Sequence, residues 1–485
     1  MQSDKNISLI RTKVISGMST LLAREFVLKI IAIAGQLLLV RLIAPEFFGI
    51  YAILTFIISL AEFFTDFGVT PAIIQQKNEI TSSQISSLFI LREGLSVLVV
   101  VCIFLLEPFF PSLYPGLKGH SQIVTLFSLT LLIKPMRTIL ISLLDRHLRY
   151  GPIATIDAIG ITVYYSVAII LALNNFNIYS FVYAVIAKEI AELILSFYFN
   201  PISLFPKIKF CEIRKLVHFG LFIQIGNGIM LAHDSLIPLI GGRVLSISSV
   251  GFLDWSKSVA SLTSTVLDNY SRVAFSGIAK IQEDRFLVAK AINKSIQFLN
   301  ILIFLFVLLI VVFAFDFIHF IATDKWLGSL VPLQIFLIGT LFTATITAVG
   351  QGLNAMGYVK QMLIISGILT LFEVILAIIL LLLYGFIGIP IAFLIHAVMQ
   401  FFSYTFFANK MKIVVEIRPL LNSSLIFVLC FIIGMLLNLS LPLSIYSYAI
   451  KLFITSLSYL FLCYIMSKSQ LIEMIQIALS ILSKK

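Results

Sequence analysis

Apolar residues in this chain come in long unbroken blocks separated by short polar stretches. Fourteen blocks stand near residues 14–41, 45–69, 85–106, 121–143, 151–173, 178–199, 215–240, 246–270, 295–315, 330–355, 360–383, 387–407, 419–441 and 445–466. None alternates with the two-residue period of a lipid-facing barrel strand. Blocks of this length suit helices that cross a bilayer, where every backbone polar group must be satisfied within the segment. The pattern predicts an all-α polytopic membrane protein with about 14 transmembrane helices. The connecting loops are short. The longest on one side, 107–120 and 316–329, leave no room for a folded domain. The stretch NPISLFPKIKFCEIR (200–214), with two prolines and a basic cluster, is the natural lobe boundary. It divides the chain into a first lobe (1–200, spans 1–6), a linker (201–214), a second lobe (215–407, spans 7–12) and a terminal helix pair with its tail (408–485).

Composition agrees. Of 485 residues, 60% are hydrophobic and 12% charged, against about 25% charged in a soluble domain. This excludes a soluble globular chain, a disordered one and, despite the net charge of +11, a nucleic-acid-binding one. The charge is sorted by side. One set of loops holds 21 lysines and arginines; the alternate set holds only Arg41, Lys118, Arg243 and Lys325. By the positive-inside rule both termini are cytoplasmic and the span number is even. The first block carries Arg24, Glu25 and Lys29 and is longer than the short uncharged core of a cleaved signal peptide. Cys102, Cys211, Cys430 and Cys463 fit no metal or disulfide spacing and read as small hydrophobes plus one loop thiol.

A faint internal repeat runs through the chain. RLIAPEFFGIY (41–51) and RVLSISSVGFL (243–253) both place an arginine eight residues before a glycine, and IYSFVYA (178–184) has a counterpart in IGIPIAF (387–393). Repeats of this kind build two-lobed transporters.

Nine cations and eleven acids fall inside the blocks. Each costs about 2.5–3.5 kcal/mol at a helix centre, so they must pair or line a wet cavity. Six of the cations, Arg24, Lys29, Arg92, Lys134, Arg137 and Lys188, belong to the first lobe. They point to an inward-opening cavity for an anion, because guanidinium groups bind phosphate oxygens in pairs. Structural pairing competes with that reading. Glu25 and Lys29, Lys188 and Glu192, and Asp268 and Arg272 are each four apart on one helix face. Arg24 has no such partner, and the like charges Lys134 and Arg137 around Pro135 favour contact with a ligand or lipid headgroup. Glu62 and Asp66 share a face and serve either as a proton or sodium site or as partners for neighbouring cations. Lys451 stands near a span end, where its ammonium can snorkel. His218, His233 and His396 are scattered singly and read as packed or interfacial residues. No phosphate-binding glycine loop, metalloprotease pair or external catalytic loop is present, so neither an enzyme nor a bound metal or cofactor is expected.

The segment RLIAPEFFGIYAILTFIISLAEFFTDFGVTPAIIQQ (41–76), with Arg-Leu, Pro-Glu-x-x-Gly and Asp-x-Gly before glutamines, resembles polysaccharide exporters of the multidrug/oligosaccharidyl-lipid/polysaccharide superfamily. DRHLRYGPIATIDAIG (145–160) and AVGQGLNAMGYVK (348–360) extend the likeness, which is similar to the branch of colanic acid and teichuronic acid exporters. The resemblance implies two pseudo-symmetric six-helix lobes in a V shape plus a C-terminal pair. It implies a flippase in the bacterial cytoplasmic membrane whose cargo is an undecaprenyl-diphosphate-linked oligosaccharide of O-antigen, exopolysaccharide or capsule type. Its expected partners are membrane lipids, a coupling proton or sodium ion, and a polysaccharide polymerase with its assembly proteins. A drug or metabolite antiporter of the same superfamily, a membrane glycosyltransferase or polymerase, and a scaffold in an assembly complex are the rivals.

Overall fold

The computed structural model describes residues 27–66, 68–76, 79–201 and 210–466. Among them every regular element is helical. The chain divides into two compact units, Met1–Gly251 and Phe252–Lys485. Helix occupies each of the fourteen apolar blocks, the first from residue 27. Nine stretches among the described residues are long and apolar enough to cross a bilayer, and one of these, Val359–Lys410, is a helix pair.

The first unit holds α1 (27–42), α2 (Pro45–Asp66), α3 (Val69–Gln75), α4 (Ser82–Leu106), α5 (Gln122–Ser128), α6 (Thr130–Arg146), α7 (Tyr150–Leu173), α8 (Ile178–Phe199) and α9 (Phe210–Asp234). Proline at the first helical position starts α2, where no N–H is needed. A capping box between Thr81 and Gln84 starts α4. Within the single crossing 122–146 the helix breaks at Leu129, a few residues before Pro135, whose ring crowds the carbonyl four residues back. The Asp-x-Gly motif also has a geometric cause. Gly68 sits at φ +62°, and a β-carbon there would meet the Gly220 carbonyl of α9. Ile73, Ile85, Leu88, Ile139, Leu143 and Ile213 then close α3, α4, α6 and α9 into one buried cluster.

The two arginine-to-glycine repeats meet. A β-carbon on Gly49 would press into the Ile247 carbonyl, and one on Gly251 into the Pro45 carbonyl. Pro45 precedes Gly49 by the interval that separates Ile247 from Gly251, so the contact is reciprocal. Backbone touches backbone here, which only glycine permits.

α10 (Ile247–Ala260) runs from the end of the first unit into the second, which continues with α11 (Leu262–Ala279), α12 (Arg285–Val312), α13 (Leu330–Thr340), α14 (Thr343–Ala355), α15 (Val359–Tyr384), α16 (Gly388–Lys410), α17 (Arg418–Ser440) and α18 (Ile445–Met466). α17 and α18 pack on α12 around Phe304, Leu308, Cys430, Tyr459 and Cys463, and the Tyr459 hydroxyl donates to the Ile301 carbonyl at 3.1 Å. Cys430 and Cys463 are buried free thiols and Cys102 is an exposed one, while the Cys211 side chain lies outside the described residues. Trp255 and Trp326 meet at a tilt with ring centroids 5.1 Å apart, so the 316–329 connection is packed rather than loose.

That packing corrects two expectations. Lys451 does not snorkel: it is 3% exposed, and its Nζ lies 2.8 Å from Asp316 Oδ2. Asp316 was expected in an outer loop. Instead a short helix, Ala314–Phe317, follows α12 at once and keeps the carboxylate buried within reach of α18. Moving the ammonium out to the interface would strand the buried Asp316 carboxylate without a counter-charge.

Candidate functional site

The first unit contains an open cavity of about 390 Å³ lined by α2, α5, α6, α7 and α8. Lys134, Lys188 and Glu189 supply its charge, with Thr55 and Ser59 as hydroxyls and Tyr51, Tyr164, Tyr165 and Phe127 as aromatic walls. Helix spacing explains the grouping. Tyr51, Thr55, Ile58 and Ser59 recur at three- and four-residue steps and share one face of α2. Tyr51 stacks on Phe181 of α8 at 4.6 Å, and the adjacent Tyr164 and Tyr165 rings meet edge to face at 4.9 Å. Gly35 on α1 leaves room for the Tyr165 ring.

The expected cations are placed, and every one with a described contact is paired. Lys134 Nζ donates to Glu62 Oε2 at 2.7 Å. Arg137 reaches two carboxylates of α8, Glu189 Oε2 at 2.7 Å and Glu192 Oε2 at 2.9 Å. Lys188 Nζ lies 3.8 Å from Glu192 Oε1, the longest of these contacts. Arg92 Nη2 lies 2.7 Å from Asp66 Oδ1. Arg92 is only 2% exposed, and its Nε and Nη1 have no hydrogen-bond partner among the described residues. Lys29 stands half-buried on α1. Arg24 lies outside the described residues.

The structure therefore brings Lys134 and Lys188 to the cavity wall, sets Arg137 behind them, and keeps the Arg92–Asp66 pair apart from the lining. The lining itself holds Lys134 and Lys188 against Glu189, and the four paired cations meet four acids around it rather than leaving an open positive field. Glu62 and Asp66 each hold a cation from another helix.

Two contributions were missed in the sequence. One is the tyrosine wall, which lies in apolar blocks where aromatic residues are ordinary. The other is the role of Glu189 and Glu192 as clamps on Arg137. The four-residue relation of Glu192 to Lys188 suggested an intrahelical pair, yet the shorter contacts run between helices. Gly160 on α7 was a usable signal, since the Glu192 carboxylate occupies the space that a β-carbon there would fill.

In the second unit, His396 Nδ1 lies 3.3 Å from Glu373 Oε2, and this buried contact joins the paired helices α15 and α16.

Comparison with known proteins gives a consistent answer. A family model described as "Polysaccharide biosynthesis protein" matches residues 38–331. An uncharacterized membrane protein in the cps region of Klebsiella pneumoniae is 24% identical over 326 residues, 66% of this chain and 66% of that protein. The lipopolysaccharide biosynthesis protein WzxC of Escherichia coli (strain K12) is 23% identical over 350 residues, 71% of this chain and 70% of its own length. Among solved structures, the lipid II flippase MurJ in an inward closed conformation superposes with a TM-score of 0.74 at 16% identity, covering 94% of this chain and 99% of that one. At that identity the likeness speaks for the fold.

Proposed function

This chain belongs to the family of polysaccharide biosynthesis proteins, and from that premise we propose that it is a lipid-linked oligosaccharide flippase. Its cargo is an undecaprenyl-diphosphate-linked repeat unit of O-antigen, exopolysaccharide or capsule type. The cargo moves from the inner to the outer leaflet of the bacterial cytoplasmic membrane by alternating access.

The observation that carries the reading is the cavity in the first unit, where two lysines share a wall with three tyrosines. Diphosphate oxygens suit the lysines, and sugar rings and hydroxyls suit tyrosine faces and hydroxyl groups. The pairing defines how an anion enters. Each lysine already has a carboxylate, so a diphosphate binds by exchange, taking Lys188 from Glu192 and Lys134 from Glu62. The Lys188 contact is the loosest and the most exposed, and it yields first. The two unpartnered donors of Arg92 add a buried demand for an acceptor. Arg24, Lys29, Arg92, Lys134, Arg137 and Lys188 form the proposed cationic set. Glu62 and Asp66, released when cargo takes their partners, are the proposed site of proton or sodium coupling. A polysaccharide polymerase would use the delivered repeat units.

The test is flipping of a fluorescent lipid-linked oligosaccharide in proteoliposomes. Lys134→Gln with Lys188→Gln should slow transport at least tenfold while Lys188→Gln alone leaves thermal stability unchanged. Full transport by the double variant would end the cavity reading.

A further inference from the structure

A second cavity, of about 750 Å³, lies in the other unit at the start of α12. Its charged lining is Arg285, Lys290, Lys294 and Lys412 against the single acid Glu416. The wall opposite α12 is the extended segment 413–416, fixed at several points. Arg285 Nη1 donates to the Met411 carbonyl at 2.7 Å, and Asn293 Nδ2 donates to the Val414 carbonyl at 2.8 Å. Asn293 Oδ1 accepts from the Glu416 backbone N–H at 2.9 Å. Lys412 holds the left-handed backbone conformation, φ +63°, that turns the chain into this segment. Ile413 and Val415 point inward and are buried, so the alternate residues Lys412, Val414 and Glu416 face out.

Depth argues for what the cavity holds. α12 has 28 residues, about 42 Å at 1.5 Å per residue, against a hydrocarbon core of about 30 Å and a bilayer of about 40–45 Å with its headgroups. Its last charged residue is Lys294, and from Ile296 the sequence is apolar save for Gln297 and Asn300, so the first three turns lie in the headgroup layer. They lie on the side whose loops carry most of the basic residues. The rim is apolar: Phe286 is 75% exposed and Val414 65%. A soluble anion has no use for such a rim.

We propose that this cavity binds the headgroup of an anionic phospholipid. The lysines meet its phosphate, and Phe286 and Val414 lie against the first carbons of its acyl chains. Basic recesses between membrane helices are suited to such headgroups, at roughly fivefold in affinity per basic side chain. The proposal is independent of the cargo assigned to the first unit.

The experiment measures binding of fluorescent phosphatidylglycerol and phosphatidylcholine to the purified full-length protein in neutral detergent. Phosphatidylglycerol should bind at least tenfold tighter. Lys290→Gln with Lys294→Gln and Lys412→Gln should weaken it on the order of a hundredfold and leave thermal stability unchanged, since all three side chains are exposed. Glu416→Gln should strengthen it about fivefold, a gain that misfolding cannot produce. Equal affinity for the two lipids, or an unchanged triple variant, overturns the proposal. Inorganic phosphate binding as tightly as the lipid would assign the cavity to a free anion, and a polyglutamate peptide outcompeting the lipid would assign it to an acidic protein. Either result also overturns it.

Discussion

Replacing Gly49 by alanine tests the reciprocal contact between the two repeats. The new methyl would press into the Ile247 carbonyl and come within 3.0 Å of the Gly251 backbone nitrogen. Neither neighbour is a flexible side chain, so relief requires the two helix starts to part by about an ångström. Overpacking of this kind costs about 1–3 kcal/mol, and a rigid backbone contact belongs at the upper end. For a unit of this size that is an apparent melting temperature roughly 5–10 °C lower. Gly251→Ala makes the mirror-image clash with the Pro45 carbonyl and should cost the same. One separation makes room for both methyls, so the double variant should lose less than the sum of the singles by about 1–3 kcal/mol. Gly94→Ala is the control. Nothing lies within 4 Å of its β-carbon position, and alanine within a helix should raise stability by about 0.4–1 kcal/mol. The assay is thermal unfolding of the purified proteins in detergent. Wild-type melting of Gly49→Ala and Gly251→Ala would refute the contact, and strictly additive losses would refute its being one contact.

Other charge pairs give predictions of the same form. Lys451→Met should destabilise by about 3–5 kcal/mol, because it strands the buried Asp316 carboxylate; adding Asp316→Asn should recover most of that loss in the same melting assay. Arg137→Met should cost a similar amount by stranding Glu189 and Glu192. In that case the combined Glu189→Gln and Glu192→Gln changes should restore protein yield and melting temperature, and failure to do so would mean that Arg137 acts chiefly through other groups.

The helices were legible because their physics is local. A block of about 20 apolar residues has one solution in a bilayer, and the proline signals at Pro45 and Pro135 act on their own helices. The shared spacing from Arg41 to Gly49 and from Arg243 to Gly251 was legible too, but not that the two glycines meet. Partners across helices were not. Nothing local links Glu62 to Lys134 or Lys451 to Asp316, and four-residue spacing drew Lys188 to Glu192 while concealing Arg137. The tyrosine wall was hidden for another reason. Tyr51, Tyr164 and Tyr165 look like any aromatic residues in a membrane segment, and only the close approach of α2, α7 and α8 makes them a surface.

The ion pairs of the first unit also constrain how the chain enters the bilayer. Helices emerge from the ribosome in order, so Glu62 and Asp66 arrive on α2 before Arg92 emerges on α4. Lys134 follows Glu62 only after 72 residues. Arg137 must then wait for Glu189 and Glu192 on α8. A lone charge costs about 2.5–3.5 kcal/mol at a helix centre, so pairing favours settling α2, α4, α6 and α8 together. They are completed together when α8 arrives. A chain cut between α6 and α8 would leave Arg137 without its two carboxylates.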